Sequence, residues 1–158
     1  MREQRIVGIA QLATCRAPEW LSCLGLGSCV AVIMYDPLLK IGGIVHILLP
    51  KAPNKCDCEE KYADTGTRKL LKEMLARGAT KERLVAKLVG GAQMFKTLSL
   101  SVSDIWNHNV VEARRVLREL DIKLIAEDVE GNRGRSAYLN PENGRVTVET
   151  AFAPTRTI

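Results

Sequence analysis

Four short apolar runs fill the first 49 residues, each the length of a strand and each closed by a turn signal. Arg5 to Ala13 carries β formers at Ile6, Val7 and Ile9 and ends before a Cys15 to Glu19 loop that contains Pro18. Trp20 to Leu26 runs into Gly25, Gly27 and Ser28, Cys29 to Tyr35 stops at Asp36-Pro37, and Ile41 to Leu49 stops at Pro50. Lys51 to Lys61 then reads as an exposed loop.

Helical spacing begins only after that loop. Asp64 or Thr65 caps a helix whose Leu70, Leu71, Met74 and Leu75 share one side, and Gly78 ends it. A second helix, from about Asn107 to Leu120, turns Val110, Val111, Ala113, Val116, Leu117 and Leu120 inward and Arg114, Arg115, Arg118 and Glu119 outward. Between the helices, Leu84 to Val89 reads as a strand interrupted by Gly90-Gly91. After them come a strand from Ile122 to Asp128, a basic glycine-bearing turn from Gly131 to Arg135, and a hairpin pairing Ser136 to Leu139 with Arg145 to Thr150. Strands clustered early and late, with two long helices between, predict an α+β fold of antiparallel or mixed sheets rather than a repeated βαβ fold. The 158 residues, 46% hydrophobic, show no repeat or linker and are expected to form one domain over 1–158.

The 23 basic and 18 acidic residues leave a net charge of +5, but the signs are interspersed, as in Arg68-Lys69-Leu70-Leu71-Lys72-Glu73. That pattern describes solvated helix faces, so no nucleic-acid partner is expected, while acidic protein surfaces stay open. No start resembling a signal peptide and no apolar stretch of roughly 18 to 20 residues is present, which predicts a cytoplasmic protein without membrane insertion. Five cysteines, at 15, 23, 29, 56 and 58, are an odd number and read as reduced thiols. Cys56-Asp57-Cys58 has no second pair at zinc-site spacing, so neither a metal nor another cofactor is expected.

Chemistry concentrates at Gly25-Leu26-Gly27-Ser28-Cys29. Two glycines ahead of a cysteine let the backbone approach a ligand and leave N–H groups at Gly27 and Ser28 to converge on an anion. Such donors would lower the Cys29 pKa and hold an oxyanion; the alternative is a tight turn beside a small buried hydrophobe. His46 interrupts an apolar strand, where its ring needs a hydrogen-bond partner or a cleft, and stands 17 residues after Cys29 on what should be the neighbouring strand. A nucleophile and its general base require that juxtaposition. His108, flanked by Asn107 and Asn109 at a helix start, ranks below His46 because caps are commonly exposed. Trp106 reads as a core or interface anchor.

These motifs resemble those of the chemoreceptor glutamine deamidase family, CheD, of prokaryotic chemotaxis. The likeness runs through Gly25 to Val32, Gly43-Ile44-Val45-His46, Lys61-Tyr62-Ala63-Asp64-Thr65, Gly90-Gly91-Ala92-Gln93-Met94-Phe95, Asn109-Val110, Ala126-Glu127-Asp128 and Gly131-Asn132-Arg133-Gly134-Arg135-Ser136, in order along nearly the whole chain. The resemblance implies a layered α/β/β/α sandwich of mixed sheets similar to the catalytic domains of cytotoxic necrotizing factors. It implies that Cys29 attacks receptor glutamine side chains through a thioester, with His46 as base and ammonia released. It also implies partnership with chemoreceptor cytoplasmic helices and a CheC-type phosphatase.

The chain departs from the family pattern twice. Cys23, preceded by Ser22, stands where the family commonly has a threonine that orients the histidine, so the third member is Cys23, a backbone carbonyl or Ser22. Trp106 follows Ile105 where the family often has glycine. The alternative function is a non-catalytic adaptor that binds receptors or a CheC-type phosphatase.

Overall fold

The computed structural model describes residues 3–94 and 105–158, with side chains described from Asn107 onward in the second stretch. Its strands are β1 (Gln4–Ile6), β2 (Leu12–Arg16), β3 (Trp20–Leu26), β4 (Val30–Asp36), β5 (Ile41–Ile47), β6 (Val85–Gly90), β7 (Lys123–Val129), β8 (Arg135–Leu139), β9 (Val146–Thr150) and β10 (Arg156–Thr157). The helices are α1 (Ala63–Ala76) and α2 (Ile105–Glu119), with a single 3-10 turn at Glu59–Lys61.

Two mixed five-stranded sheets stack face to face. One runs β1-β3-β8-β9-β10 and the other β2-β5-β4-β6-β7. Each contains one parallel pairing, β1 with β3 and β6 with β7, among antiparallel neighbours. This is the α+β class that the order of segments predicts. Leu21, Cys23 and Leu26 of β3 meet Ala31 and Ile33 of β4 and Ile44 of β5 in an inter-sheet core. On the far side of the second sheet, Leu70, Leu71 and Met74 of α1 and Val110, Ala113 and Leu117 of α2 pack on Val30, Val32 and Val45. The layers are therefore α/β/β; among the described residues no helix lies on the outer face of the first sheet.

The central strands read as continuous apolar runs because both faces are covered, and all seven residues of β4 and of β5 are buried. Gly42 and Gly43 serve opposite faces of β5. A Cβ on Gly42 would lie 2.6 Å from Leu139 Cδ2 of the other sheet, and one on Gly43 would lie 2.7 Å from Leu70 Cδ1 of α1. The pair lets both layers close onto one strand.

Both helices lie where their periodicity places them, with adjustments at their edges. Tyr62, not Asp64 or Thr65, is the N-cap of α1. Asp64 sits in the first turn, where its Oδ1 accepts from Ala52 N at 3.0 Å and Thr65 N at 2.8 Å. Gly78, at φ +102°, closes the C-terminal end as expected, with Ala79 N donating to Met74 O. Leu75 and Val111 turn outward, 41% and 49% exposed, because the two apolar stripes are narrower than the sequence suggests. Outer charges of the helices pair, Arg114 with Glu127 and Arg115 with Glu112 and Glu119.

The N-terminal segment differs most from expectation. The run from Arg5 to Ala13 is two strands in different sheets, with Val7 to Gln11 crossing between them. The crossing is fixed by Val7 N donating to Ser22 O, Gln11 N to Gly8 O, and Gly8 N to the Gln11 side chain, with Ala10 at φ +59°. Cys15, expected in a loop, is buried within β2.

Candidate functional site

The candidate site sits where the chain passes from one sheet to the other at two places. The link from β3 to β4, residues 27–29, carries the glycine turn and Cys29. Three successive carbonyls of that link are held by separate donors. Gly27 O accepts from Ala92 N at 2.8 Å, Ser28 O from Asn109 Nδ2 at 3.0 Å, and Cys29 O from Gly91 N at 2.9 Å. Gly90 makes the last contact possible, since its φ is +115° and a Cβ there would lie 2.3 Å from Cys29 O. The Gly90-Gly91 interruption of the β6 pattern is thus a close approach to the Cys29 turn.

Cys29 is only 7% exposed and packs in the inter-sheet core. Burial pushes its thiol pKa up, opposed by its own backbone N–H. The lowered pKa expected from the glycine turn is therefore corrected: desolvation by the two stacked sheets outweighs the donor beside the sulfur. Cys23 is pushed up to about 12, by burial first and by the charge of a Cys29 thiolate second.

His46 lies on β5 directly opposite Ala31 of β4. Extending that register places Cys29 diagonal to His46 on the same face, a relation with Cα atoms about 7–8 Å apart and long side chains within reach. The main chain around His46 is clamped by the N-terminal crossing, with His46 N donating to Gln11 O and Ala10 N to His46 O. The ring's Nδ1 is 3.1 Å from Val7 O. A carbonyl only accepts, so Nδ1 carries the ring proton and Nε2 presents its lone pair. Nε2 is buried and has no hydrogen-bond partner among the described residues. Burial holds the His46 pKa below its ordinary value, against the Val7 carbonyl, so the ring is neutral near pH 7.

Of the three candidates for steadying His46, a backbone carbonyl is the one in contact. Cys23 Sγ donates to the same Val7 carbonyl, at 3.5 Å, and so touches the ring's anchor rather than the ring. Ser22 faces away and accepts from Gln4 Nε2 at 2.9 Å. His108 is exposed on the first turns of α2. Trp106 lies in the first turn, its side chain outside the described residues.

The rim is built from loops the sequence grouped with the site only by motif. Gln93 N donates to Gly131 O and Glu130 N to Gly90 O, which ties the loop after β6 to the loop after β7. Met94, 47% exposed, lies against Gly27, where a Cβ would sit 3.2 Å from Met94 Cγ. Arg135 is buried and spends its guanidinium on the Asp128 carboxylate and on the carbonyls of Asp128, Glu130 and Arg133. Sequence reasoning offered a backbone carbonyl for His46 but did not identify Val7 as its source. It included Asn109 and Gly90 in motifs without assigning them a contact. Gly8, which interrupts the first apolar run, was the one local signal of the crossing.

Comparison with known proteins supplies a chemical context for this geometry. A family model described as CheD chemotactic sensory transduction matches residues 48–150, a span that holds Gly90, Asn109 and Arg135. A Thermotoga maritima protein named chemoreceptor glutamine deamidase CheD is 41% identical, over 92% of this chain and 90% of its own. A Pyrococcus abyssi protein named "Probable chemoreceptor glutamine deamidase CheD" is 45% identical, over 89% of this chain and 87% of its own. Among solved structures, the Neisseria meningitidis protein NMB0706 superposes with a TM-score of 0.50 at 9% identity, over 82% of this chain and 64% of that one, a likeness of fold alone.

Proposed function

The chain belongs to the CheD family, and from that membership we propose that it deamidates glutamine side chains of chemoreceptors to glutamate, with Cys29 as nucleophile and His46 as base. The observation that carries this reading is the state of His46. Its Nδ1 proton is committed to Val7 O, and its Nε2 lone pair is unpartnered among the described residues, on the face shared with Cys29.

Both groups rest neutral, so attack and proton transfer are coupled. As Cys29 sulfur bonds to the carboxamide carbon, the thiol proton passes to His46 Nε2, and N–H groups of the Gly27–Cys29 turn receive the oxyanion. The imidazolium that forms is stabilised by Val7 O at its other nitrogen. Its Nε2 proton goes to the leaving amide nitrogen, the C–N bond breaks, and ammonia departs from a thioester. Water then adds to the thioester with His46 again as base, which restores the thiol and leaves glutamate. The low exposure of Cys29 supports a substrate group carried on a thin unbranched stem, as glutamine's is.

The same reading takes residues 1–158 as one cytoplasmic domain whose partners are chemoreceptor helices and a CheC-type phosphatase. No described helix is long and apolar enough to cross a membrane. The test is ammonia release from a chemoreceptor cytoplasmic fragment. Wild-type protein should release it, Cys29→Ala should release none, and His46→Ala should be slower by about 10²–10⁴-fold. Receptor binding without ammonia release from wild type would favour the adaptor, and equal release from all three proteins would remove Cys29 and His46 from the chemistry.

A further inference from the structure

Asn109 connects both halves of the candidate site through one amide. Its side chain is fully buried, and Nδ2 donates to Ser28 O at 3.0 Å and to Leu48 O at 2.9 Å. Both partners are carbonyl oxygens, which only accept, so the NH2 end of the amide must face them and the orientation of the side chain is fixed by chemistry. Ser28 immediately precedes Cys29, and Leu48 lies two residues beyond His46. The link that carries Cys29 and the residue just past the His46 strand are therefore held by one side-chain donor from α2.

The Ser28–Cys29 peptide is the critical one. In a planar trans peptide the C=O and the following N–H point in opposite directions. Asn109 pulls Ser28 O toward α2 and so turns the Cys29 N–H the other way, where it lies against the Cys29 sulfur and opposes the rise in its pKa. That N–H is placed to meet negative charge that develops on an oxygen bonded beside the sulfur. The carbonyls on either side, of Gly27 and Cys29, are held by backbone N–H groups of Ala92 and Gly91, which survive any side-chain change. Only the middle peptide depends on a side chain.

We infer that Asn109 is a positioning residue for catalysis: it sets the plane of the Ser28–Cys29 peptide so that the Cys29 N–H serves as an oxyanion donor, and it fixes the span between the Cys29 turn and the His46 strand. This rests on Cys29 being the nucleophile. Asn109→Leu keeps the approximate volume and removes both donors. It should lower kcat for receptor-fragment deamidation by about 10–100-fold, part of what direct removal of an oxyanion donor costs, with KM within about threefold.

Alkylation of Cys29 by iodoacetamide forms no oxyanion and supplies the readout a merely structural role would not separate. Its rate should fall by a smaller factor than kcat, because it loses only the Cys29 N–H beside the sulfur and not an oxyanion contact. The inference is overturned if kcat of the folded variant stays within threefold of wild type, or if alkylation falls by as large a factor as kcat. Asn109→Ser, smaller and retaining a hydroxyl donor, is measured in parallel and should lie between wild type and Asn109→Leu; should Asn109→Leu not fold, a kcat for Asn109→Ser equal to wild type overturns the inference. Wild type and Cys29→Ala are included in the same assay. Equal ammonia release from those two would fault the nucleophile assignment itself, whereas a failure confined to the Asn109 variants faults only the positioning role.

Discussion

Replacing Cys23 by alanine separates what that residue does for stability from what it does for His46. Its sulfur is fully buried between the sheets, and its thiol donates to the Val7 carbonyl. Deleting one heavy atom from a packed core costs about 1 kcal/mol, in the range of an Ile to Val change, and the weak thiol hydrogen bond adds less. Val7 O is not orphaned, because His46 Nδ1 still donates to it at 3.1 Å. The expected total is about 1–2 kcal/mol, a fall in melting temperature of roughly 2–8 °C for a chain of this size. The ring keeps its anchor, so kcat/KM for receptor-fragment deamidation should stay within about threefold, whereas losing the tautomer and aim of a catalytic histidine costs tenfold or more. Urea denaturation and ammonia release measured on the same preparation give both numbers. A fall in kcat/KM beyond about thirtyfold in a variant that remains folded would show that Cys23, and not the Val7 carbonyl, steadies the ring.

Gly90→Ala should be far more damaging, because the residue adopts φ +115° and its new methyl would lie 2.3 Å from Cys29 O. A loss of about 2–4 kcal/mol in urea denaturation, together with loss of deamidation, is expected, and a variant within 1 kcal/mol of wild type would contradict the close approach. Acidification acts through His46, whose folded pKa lies below the 6.5 of a free ring. Between those two values the unfolded chain binds a proton the native ring refuses, so stability falls as pH drops below about 6.5, and His46→Gln should lose that part of the pH slope. An identical slope in the variant would mean that other groups produce it.

How much of this was legible in the sequence depended on whether the signal was local. The two helices announced themselves through apolar spacing, and β4 and β5 through apolar runs of strand length. Cys29 after paired glycines, and His46 inside an apolar strand, stood out because each residue type conflicts with its surroundings. The Val7 to Gln11 crossing was marked only by Gly8, since β formers at Ile6, Val7 and Ile9 continue straight through it. What divides that run is pairing with Ser22 on one side and His46 on the other, contacts made across 15 or more residues. A main-chain carbonyl also carries no residue-type signature, so Val7 could not be singled out as the partner of His46. The Cys29 thiol was expected to be acidified because the nearby donors are visible in the sequence, while the second sheet that buries it is not. Asn109 was part of a motif, but its partners at 28 and 48 become neighbours only when α2 docks.

Cys29 is anchored at the head of β4, a strand buried along its whole length and paired on both sides, with each carbonyl from 27 to 29 tethered. A sulfur mounted this rigidly has little travel of its own, so in the proposed deamidation the reach would come from the other molecule. Among the glutamines along a receptor helix, those standing clear of their neighbours and able to extend fully toward the buried sulfur would be modified first. Selectivity would then be a matter of how accessible and how long-armed the target is, and asparagine, one methylene shorter, would be passed over.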